Sequence, residues 1–226
     1  MTDEQALREQ ARRAVHAAIG PSGAPAELGT THRKAQRVLD SQLALRPRAS
    51  RPEVACRKGC AMCCHLRVMA TPAEVLGLVH YMQQQLGAEA MDAAAARIAF
   101  AAAQLRLLPR ERLLLTNVAC PVLVDGACGA YAARPLNCRA YHSLDYDACL
   151  ASFLEPADTS LTHPHSAPDA RVQEGVQLGL IEVLRSAGVD SRQYELVTAM
   201  DEALRDLQAS ERFARGETVF RTALQL

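Results

Sequence analysis

Four cysteines are concentrated in one short stretch, Cys56–Cys64, which reads C-R-K-G-C-A-M-C-C. Free cysteines that only fill a core as small apolar side chains have no reason to cluster. The step from Cys60 to Cys63 is the C-x-x-C spacing at which two thiolates bind one metal, and Cys56 stands one helical turn earlier. A helix would place the thiols on one face, whereas a turn at Gly59 would gather them in a loop. Either geometry predicts a metal site.

The adjacent pair Cys63 and Cys64 indicates more than one tetrahedral ion, because neighbouring side chains diverge. A polynuclear centre, or two centres close together, uses both thiols more easily. An iron–sulfur cluster or a pair of zinc ions are therefore the candidate cofactors. Four more cysteines follow after a long interval. The candidate metal ligands are all eight cysteines of the chain: Cys56, Cys60, Cys63, Cys64, Cys120, Cys128, Cys138 and Cys149.

The length and the net charge of the chain limit the functions that it can have. The chain has 226 residues, with 25 acidic and 25 basic side chains, so we expect no overall basic field for nucleic acid or an anionic membrane. The N-terminal residues lack the apolar stretch of a signal peptide and no later run is long enough for a bilayer, which predicts a cytoplasmic protein. Disulfide frameworks are typical of small secreted domains, so metal ligation is favoured over disulfides.

Helix patterns predict a mainly α fold in which helices surround a cysteine-rich, loop-rich metal-binding core. Thr71, Pro72 and Glu74 form the clearest helix start, because they fit an N-cap, a first-position proline and a capping box. The stretch 110–118 fits a short helix or an extended segment equally well. Further helices are predicted at 3–19, about 31–45 and 88–107, with apolar helical stripes over 172–184 and 197–207.

Turn signals predict at most one small hairpin. Asp125-Gly126 lies between short apolar segments, so we expect Cys120 and Cys128 to face each other across the hairpin. The proline-rich residues 155–169 predict a surface connection, in which His163 and His165 are expected to be solvated rather than metal-bound. For the domains, we expect a helical extension at 1–50 and a cysteine-cluster metal-binding domain with C-terminal helices at 51–226.

The motifs C-x3-C-x2-C-C and C-P-x-L-x4-C-x2-Y-x2-R-P-x2-C-R resemble the CxxCxxCC or YkgJ-type cysteine-cluster family, a zinc- or iron-chelating domain. The resemblance runs from about Cys56 to Arg139. It departs from the family in the spacing from Cys56 to Cys60, three residues rather than two, and in having Ala61-Met62 where the family often has a glycine. Cys149 lies beyond the resemblance and is the weakest ligand candidate. The resemblance implies that the other seven cysteines are ligands, with Tyr131, Arg134, Pro135 and Arg139 at further motif positions.

Basic side chains near the cysteines are candidates to offset the negative charge of metal-bound thiolates, although they also fit ordinary surface cations. His65 and His142 are candidates to complete a coordination sphere. The basic candidates are Arg57, Lys58, Arg67, Arg134 and Arg139.

Three functions stay open on these grounds. The first is a redox or enzymatic iron–sulfur protein with a redox partner. The second is a zinc-stabilised helical module that binds a protein partner. The third is metal storage or sensing by labile thiolates. The cysteine motif is also similar to that of flagellin lysine methylases, which implies a methyltransferase relative, but the sequence has no glycine-rich nucleotide loop.

Overall fold

The computed structural model describes residues 2–20, 28–47, 51–57 and 59–225. Over these ranges the chain is mainly helical, with two small antiparallel sheets, which confirms the predicted fold class. None of the described helices combines the length and apolar character needed to cross a bilayer. The helices are α1 Asp3–Ile19, α2 Leu28–Leu45, α3 Pro72–Gln85, α4 Ala88–Leu107, α5 Leu136–Ala140, α6 Tyr146–Leu154, α7 Ala167–Ser186, α8 Leu196–Arg205 and α9 Ala209–Ala214. The strands are β1 Met69–Ala70, β2 Leu123–Val124, β3 Ala127–Cys128 and β4 Tyr194–Glu195.

Capping boxes define two of the helix starts. At α1 the Thr2 hydroxyl accepts the Gln5 N–H at 3.3 Å, while the Gln5 side chain accepts the Thr2 N–H at 3.0 Å. At α3 the Glu74 carboxylate accepts both the backbone N–H and the hydroxyl of Thr71, each at 2.8 Å. Helix α4 fills its predicted range, whereas α2 begins at Leu28, earlier than expected.

Helix α7 buries its predicted apolar stripe and packs against α1 and α2. Gly175 and Gly179 let the two backbones of α1 and α7 approach closely. A Cβ atom at Gly175 would lie 2.1 Å from the carbonyl oxygen of Arg8. The N-terminal helices therefore pack directly on the second half of the chain. The division of the chain at residue 50 stays a prediction.

This close approach gives a stability prediction. Replacing Gly175 with alanine is expected to lower the free energy of unfolding by about 1–3 kcal/mol, because backbone rather than a flexible side chain blocks the new methyl group. Chemical denaturation followed by circular dichroism measures this. The matched control is Gly87→Ala at the start of α4, where nothing lies within 4 Å of the added atom. An equal effect of the two substitutions would contradict the packing described here.

The C-terminal part departs from the sequence expectation in two ways. The apolar stripe over 197–207 predicts a buried Leu207, but α8 ends at Arg205 and the Leu207 side chain is 93% exposed. The prediction that Leu207 faces the core is wrong, because the helix has already ended. The tail also forms the short helix α9, whose pattern was too weak to predict.

Strands β1 and β4 form a second sheet that was not expected. Met69 pairs with Glu195, Ala70 pairs with Tyr194, and the Leu196 N–H donates to the Val68 carbonyl at 2.8 Å. Two-residue strands are too short to show an alternating pattern in the sequence. The pairing connects the chain just after the first cysteines to the start of α8, so it anchors the cysteine loop on the helical core.

Candidate metal centre

The first cysteine loop is shaped by a turn rather than by a continuous helix. Gly59 has a φ of +90°, a conformation that glycine adopts without strain, and the Cys60 N–H donates to the Arg57 carbonyl at 2.9 Å. A short 3₁₀ helix then spans Met62–His65 and contains the adjacent pair Cys63 and Cys64. Of the two geometries left open by the sequence, the turn at Gly59 is therefore the one adopted.

Backbone hydrogen bonds bring the second cysteine motif to the first. The Cys120 N–H donates to the Cys64 carbonyl at 2.7 Å, and the Val118 N–H donates to the His65 carbonyl at 3.4 Å. The entry to the second motif thus runs directly beside the 3₁₀ helix.

The predicted hairpin then positions Cys128. Asp125 and Gly126 have φ values of 50° and 72°, as a tight hairpin turn requires, and Leu123 pairs with Cys128. The Leu123 N–H also donates to the Cys120 carbonyl at 3.0 Å, so Cys120 precedes the ladder rather than pairing with Cys128 in it. The hairpin is confirmed, with Cys120 at its base and Cys128 on its second strand.

Two short helices carry the remaining cysteines, Cys138 on α5 and Cys149 on α6. The segment between these helices folds back on the first loop, because the Ala55 N–H donates to the Ser143 carbonyl at 2.9 Å. The Ser143 N–H in turn lies 3.4 Å from the Cys56 sulfur. An amide donor at this place would stabilise Cys56 as a thiolate.

Electrostatic coupling shows which thiols lie near one another. Burial, followed by the charges of Cys60, Cys56 and Cys63, raises the pKa of Cys149 to about 11. The pKa of Cys56 is also raised, first by burial and then by Cys60 and Cys63. We call Cys56, Cys60 and Cys149 the first thiol group. Cys149, the weakest ligand candidate from the sequence, is therefore among the first cysteines in space.

A second thiol group consists of Cys120, Cys128 and Cys138. Burial raises the pKa of Cys138, and the charges of Cys120, Cys128 and Cys63 add to the effect. Burial likewise raises the pKa of Cys120, to about 11, with a smaller contribution from Cys128. The two motifs are far apart in the sequence, but the fold brings their thiols close together.

The vicinal pair, Cys63 and Cys64, lies between the two groups. A side-chain hydrogen bond between the two thiols is the largest cause that raises the pKa of Cys63, followed by burial. The Cys63 charge acts on Cys56 and Cys149 in the first group and on Cys128 and Cys138 in the second. Cys63 is therefore close to both groups at once.

The donor set fits the soft, thiophilic metals zinc and iron. Raised thiol pKa values mean that a metal must displace protons on binding, because the thiolate is the ligand. Within the described ranges, no three side chains among His, Cys, Asp and Glu already stand in a metal-ligating arrangement.

Arg67 and Arg134 are the predicted cations that the structure places beside the thiols. The Arg67 side chain is 2% exposed and donates to the carbonyls of His65 at 2.8 Å and Val118 at 2.5 Å. Its positive charge partly offsets the rise in the pKa of Cys120 that burial causes. The Arg134 guanidinium lies 3.5 Å from the centroid of the Tyr131 ring. The Arg134 charge partly offsets the rise in the pKa values of Cys63, Cys128 and Cys138.

The other predicted cations have different surroundings. Arg139 binds the Asp40 carboxylate through two hydrogen bonds of 2.7 and 2.6 Å. Arg57 lies over the ring of Tyr146, 4.7 Å from its centroid. Lys58 lies outside the described residues.

The two candidate histidines have protein partners of their own. The His65 ring packs edge-on against Phe153, with centroids 5.0 Å apart, and its Nδ1 atom lies 3.1 Å from the Ala61 carbonyl. The Nδ1 atom of His142 lies 3.2 Å from the Ala140 carbonyl. In each ring, therefore, one nitrogen is already hydrogen-bonded to a backbone carbonyl.

Tyr141 packs beside the thiols, and a histidine side chain is the partner of its hydroxyl. Its hydroxyl lies 2.7 Å from His163 Nε2, and the rings of His163 and His165 are 4.5 Å apart. Burial and the nearby charges of Cys149, Cys63 and Cys56 raise the pKa of Tyr141 to about 12. His163 is half-buried against Tyr141 rather than fully solvated, whereas His165 is exposed as expected. No sequence spacing connects these residues, which meet only in the fold.

Residues 55–161 match the family CxxCxxCC, described as "Putative zinc- or iron-chelating domain". The expected resemblance is confirmed, and it extends beyond Arg139 to include Cys149. No curated protein and no solved structure matches the chain significantly. The matched segment contains every cysteine of the chain, and its family supports metal binding in general. The segment of this chain that carries the two thiol groups and the vicinal pair is therefore similar to the CxxCxxCC metal-chelating domains.

Proposed function

We propose that the chain is a cytoplasmic metalloprotein whose eight cysteines hold two neighbouring iron–sulfur centres and pass electrons to a redox partner. One centre takes Cys56, Cys60 and Cys149, the other takes the second thiol group, and each takes one member of the vicinal pair. The observation that carries the proposal is the division of the thiols by electrostatic coupling into two groups of three, with Cys63 close to both. Four thiolates for each centre is the usual complement of an iron–sulfur cluster.

The surroundings of the sulfurs support iron–sulfur clusters. Hydrogen bonds to sulfur and nearby charges set the reduction potential of such clusters. The Ser143 N–H near Cys56 is one donor of this kind. Arg67 is held rigidly near Cys120, and Arg134 near the second thiol group. A bound cluster would supply one-electron chemistry, while these protein groups would offset its negative charge.

The alternative is a zinc-stabilised helical module that binds a protein. Apolar side chains are exposed around the cysteine loops, namely Leu66 beside the 3₁₀ helix, Val124 in the hairpin and Tyr131 after it. Exposed apolar groups around a rigid metal-bound loop suit contact with a partner. In this case each four-thiolate site would hold one tetrahedral zinc ion.

Metal analysis of protein purified without oxygen tests the proposal. We expect iron and acid-labile sulfide in equal amounts, a brown colour with a broad visible charge-transfer band, and bleaching by dithionite. Zinc without sulfide or colour, with loss of helix on chelation, would contradict the redox function and support the helical module. Rapidly exchanging metal would instead favour storage or sensing.

A further inference from the structure

A cleft of about 270 Å³ opens between α2, α3 and the segment 132–139. Its lining is unusually rich in arginine, with Arg33 and Arg37 from α2 and Arg139 from α5. Asp40 and Tyr81 also face it. The volume lies just below the range of ordinary small-molecule sites, so a ligand of this cleft would be small.

The charges of the lining are not balanced. Asp40 is the carboxylate of the cleft, and Arg139 already binds both of its oxygens. Arg33 has one weak hydrogen bond, 3.3 Å to the Thr30 hydroxyl. Arg37 has no hydrogen bond or ion pair within the part of the chain that the structure describes. Two guanidinium groups one helical turn apart repel each other, and the cleft keeps them both without a counter-charge.

The inner wall of the cleft does not supply the missing negative charge. His32 is buried there, and its Nε2 atom donates to the Ala133 carbonyl at 2.9 Å. Burial lowers the pKa of His32, as do the charges of Arg139 and Arg33, while Glu74 opposes them. The Glu74 carboxylate is itself buried and accepts hydrogen bonds from Thr71, Leu136 and Gln177.

Hydrogen bonds fix the position of α2 against the segment 132–139 across the cleft. Gln36 Nε2 donates to the carbonyls of Ala132 and Arg134, at 3.3 and 2.7 Å, and so ties α2 to the segment after the hairpin. The Arg139–Asp40 pair ties α2 to α5. The cleft is therefore held open by contacts that do not involve Arg33 or Arg37, which leaves both guanidinium groups available.

We propose that this cleft binds a small dianion, with Arg33 and Arg37 donating to its oxygens. Planar guanidinium groups match the oxygens of phosphate and carboxylate, so the ligand class is a small phosphate ester or a dicarboxylate. The Tyr81 ring would cover the organic part of the ligand. Arg139, which lines the cleft, follows the candidate ligand Cys138 directly on α5.

Isothermal titration of the full-length, metal-loaded protein with inorganic phosphate and with succinate, at low salt, tests this site. We expect saturable binding of one ion per chain for at least one of the two probes, and the tighter probe identifies the ligand chemistry. Arg33→Gln and Arg37→Gln are each expected to weaken the binding about tenfold or more, because each removes a charge-assisted hydrogen bond.

Arg185→Gln is the matched control. Arg185 is an exposed helical arginine in the last turn of α7, outside the cleft, and its replacement is expected to leave the dissociation constant unchanged. Absence of binding by both probes would overturn the proposal. So would equal weakening in all three variants, since that result shows only nonspecific attraction to surface charge. The metal content of each variant, measured in parallel, shows separately whether the thiol site is intact.

Discussion

Replacing Cys138 with serine is expected to remove about half of the bound metal, and replacing Cys149 is expected to do the same. The reason is that each cysteine lies in a different thiol group, coupled to different neighbours. Removing one ligand of four usually prevents stable loading of that site. Replacing both cysteines is expected to abolish binding. Metal and sulfide content per chain, measured on protein purified without oxygen, gives the result.

The vicinal pair provides a sharper version of this experiment. Cys63→Ser and Cys64→Ser should each remove one ligand of one centre, and each should therefore lower the metal content by about half. All eight cysteines are candidate ligands, so no cysteine replacement is a neutral control. The double variant of Cys138 and Cys149 instead gives the metal content expected when both centres are lost. Full metal content in Cys149→Ser, together with complete loss in Cys138→Ser, would show one centre rather than two.

Replacing Glu74 with alanine is expected to lower the free energy of unfolding by about 3–5 kcal/mol. Glu74 is fully buried and accepts hydrogen bonds from Thr71, from the backbone N–H of Leu136 and from Gln177. Its removal leaves these buried donors without a partner. It also frees the start of α5, which carries Cys138, so the variant should lose metal from the second thiol group.

Denaturant unfolding of the metal-free protein separates the two effects. Glu89→Ala, at an exposed position in the first turn of α4, is the matched control and should change the free energy of unfolding by no more than about 0.5 kcal/mol. Glu74→Gln keeps one acceptor oxygen and should lie between the two. A Glu74→Ala variant as stable as the control would mean that the buried carboxylate does not hold α3, α5 and α7 together.

Local signals in the sequence were enough for most of the helices. The Thr71–Glu74 capping box marks the start of α3 in the sequence itself, and α4 occupies the predicted range 88–107. The pairing of β1 with β4 could not be predicted, because it joins Met69 to Glu195 through backbone hydrogen bonds that any side chain permits. The helix of the tail, α9, likewise depends on tertiary packing rather than on a local pattern.

The site was predictable in its residue types but not in its arrangement. Clustering alone identified the cysteines as candidate ligands, since the spacing of Cys60 and Cys63 is a local property. Cys149 comes close to Cys56 where the Ala55 N–H donates to the Ser143 carbonyl. The spacing of residues in the sequence does not predict this hydrogen bond. For the same reason the sequence could not show that Arg139 pairs with Asp40 on α2.

The hydrogen bond between Cys120 and Cys64 also has a consequence for the order in which the chain can mature. The two cysteine motifs are separated by the whole of α3 and α4, so the sulfurs of the second group reach the first only after these helices have folded back. A metal centre that includes a vicinal cysteine and the second group would then act as a cross-link that closes a long loop, and cross-links of this kind restrict the unfolded chain most. During synthesis Cys149 emerges last. The first centre, although its motif is made earliest, would therefore be the later one to be completed.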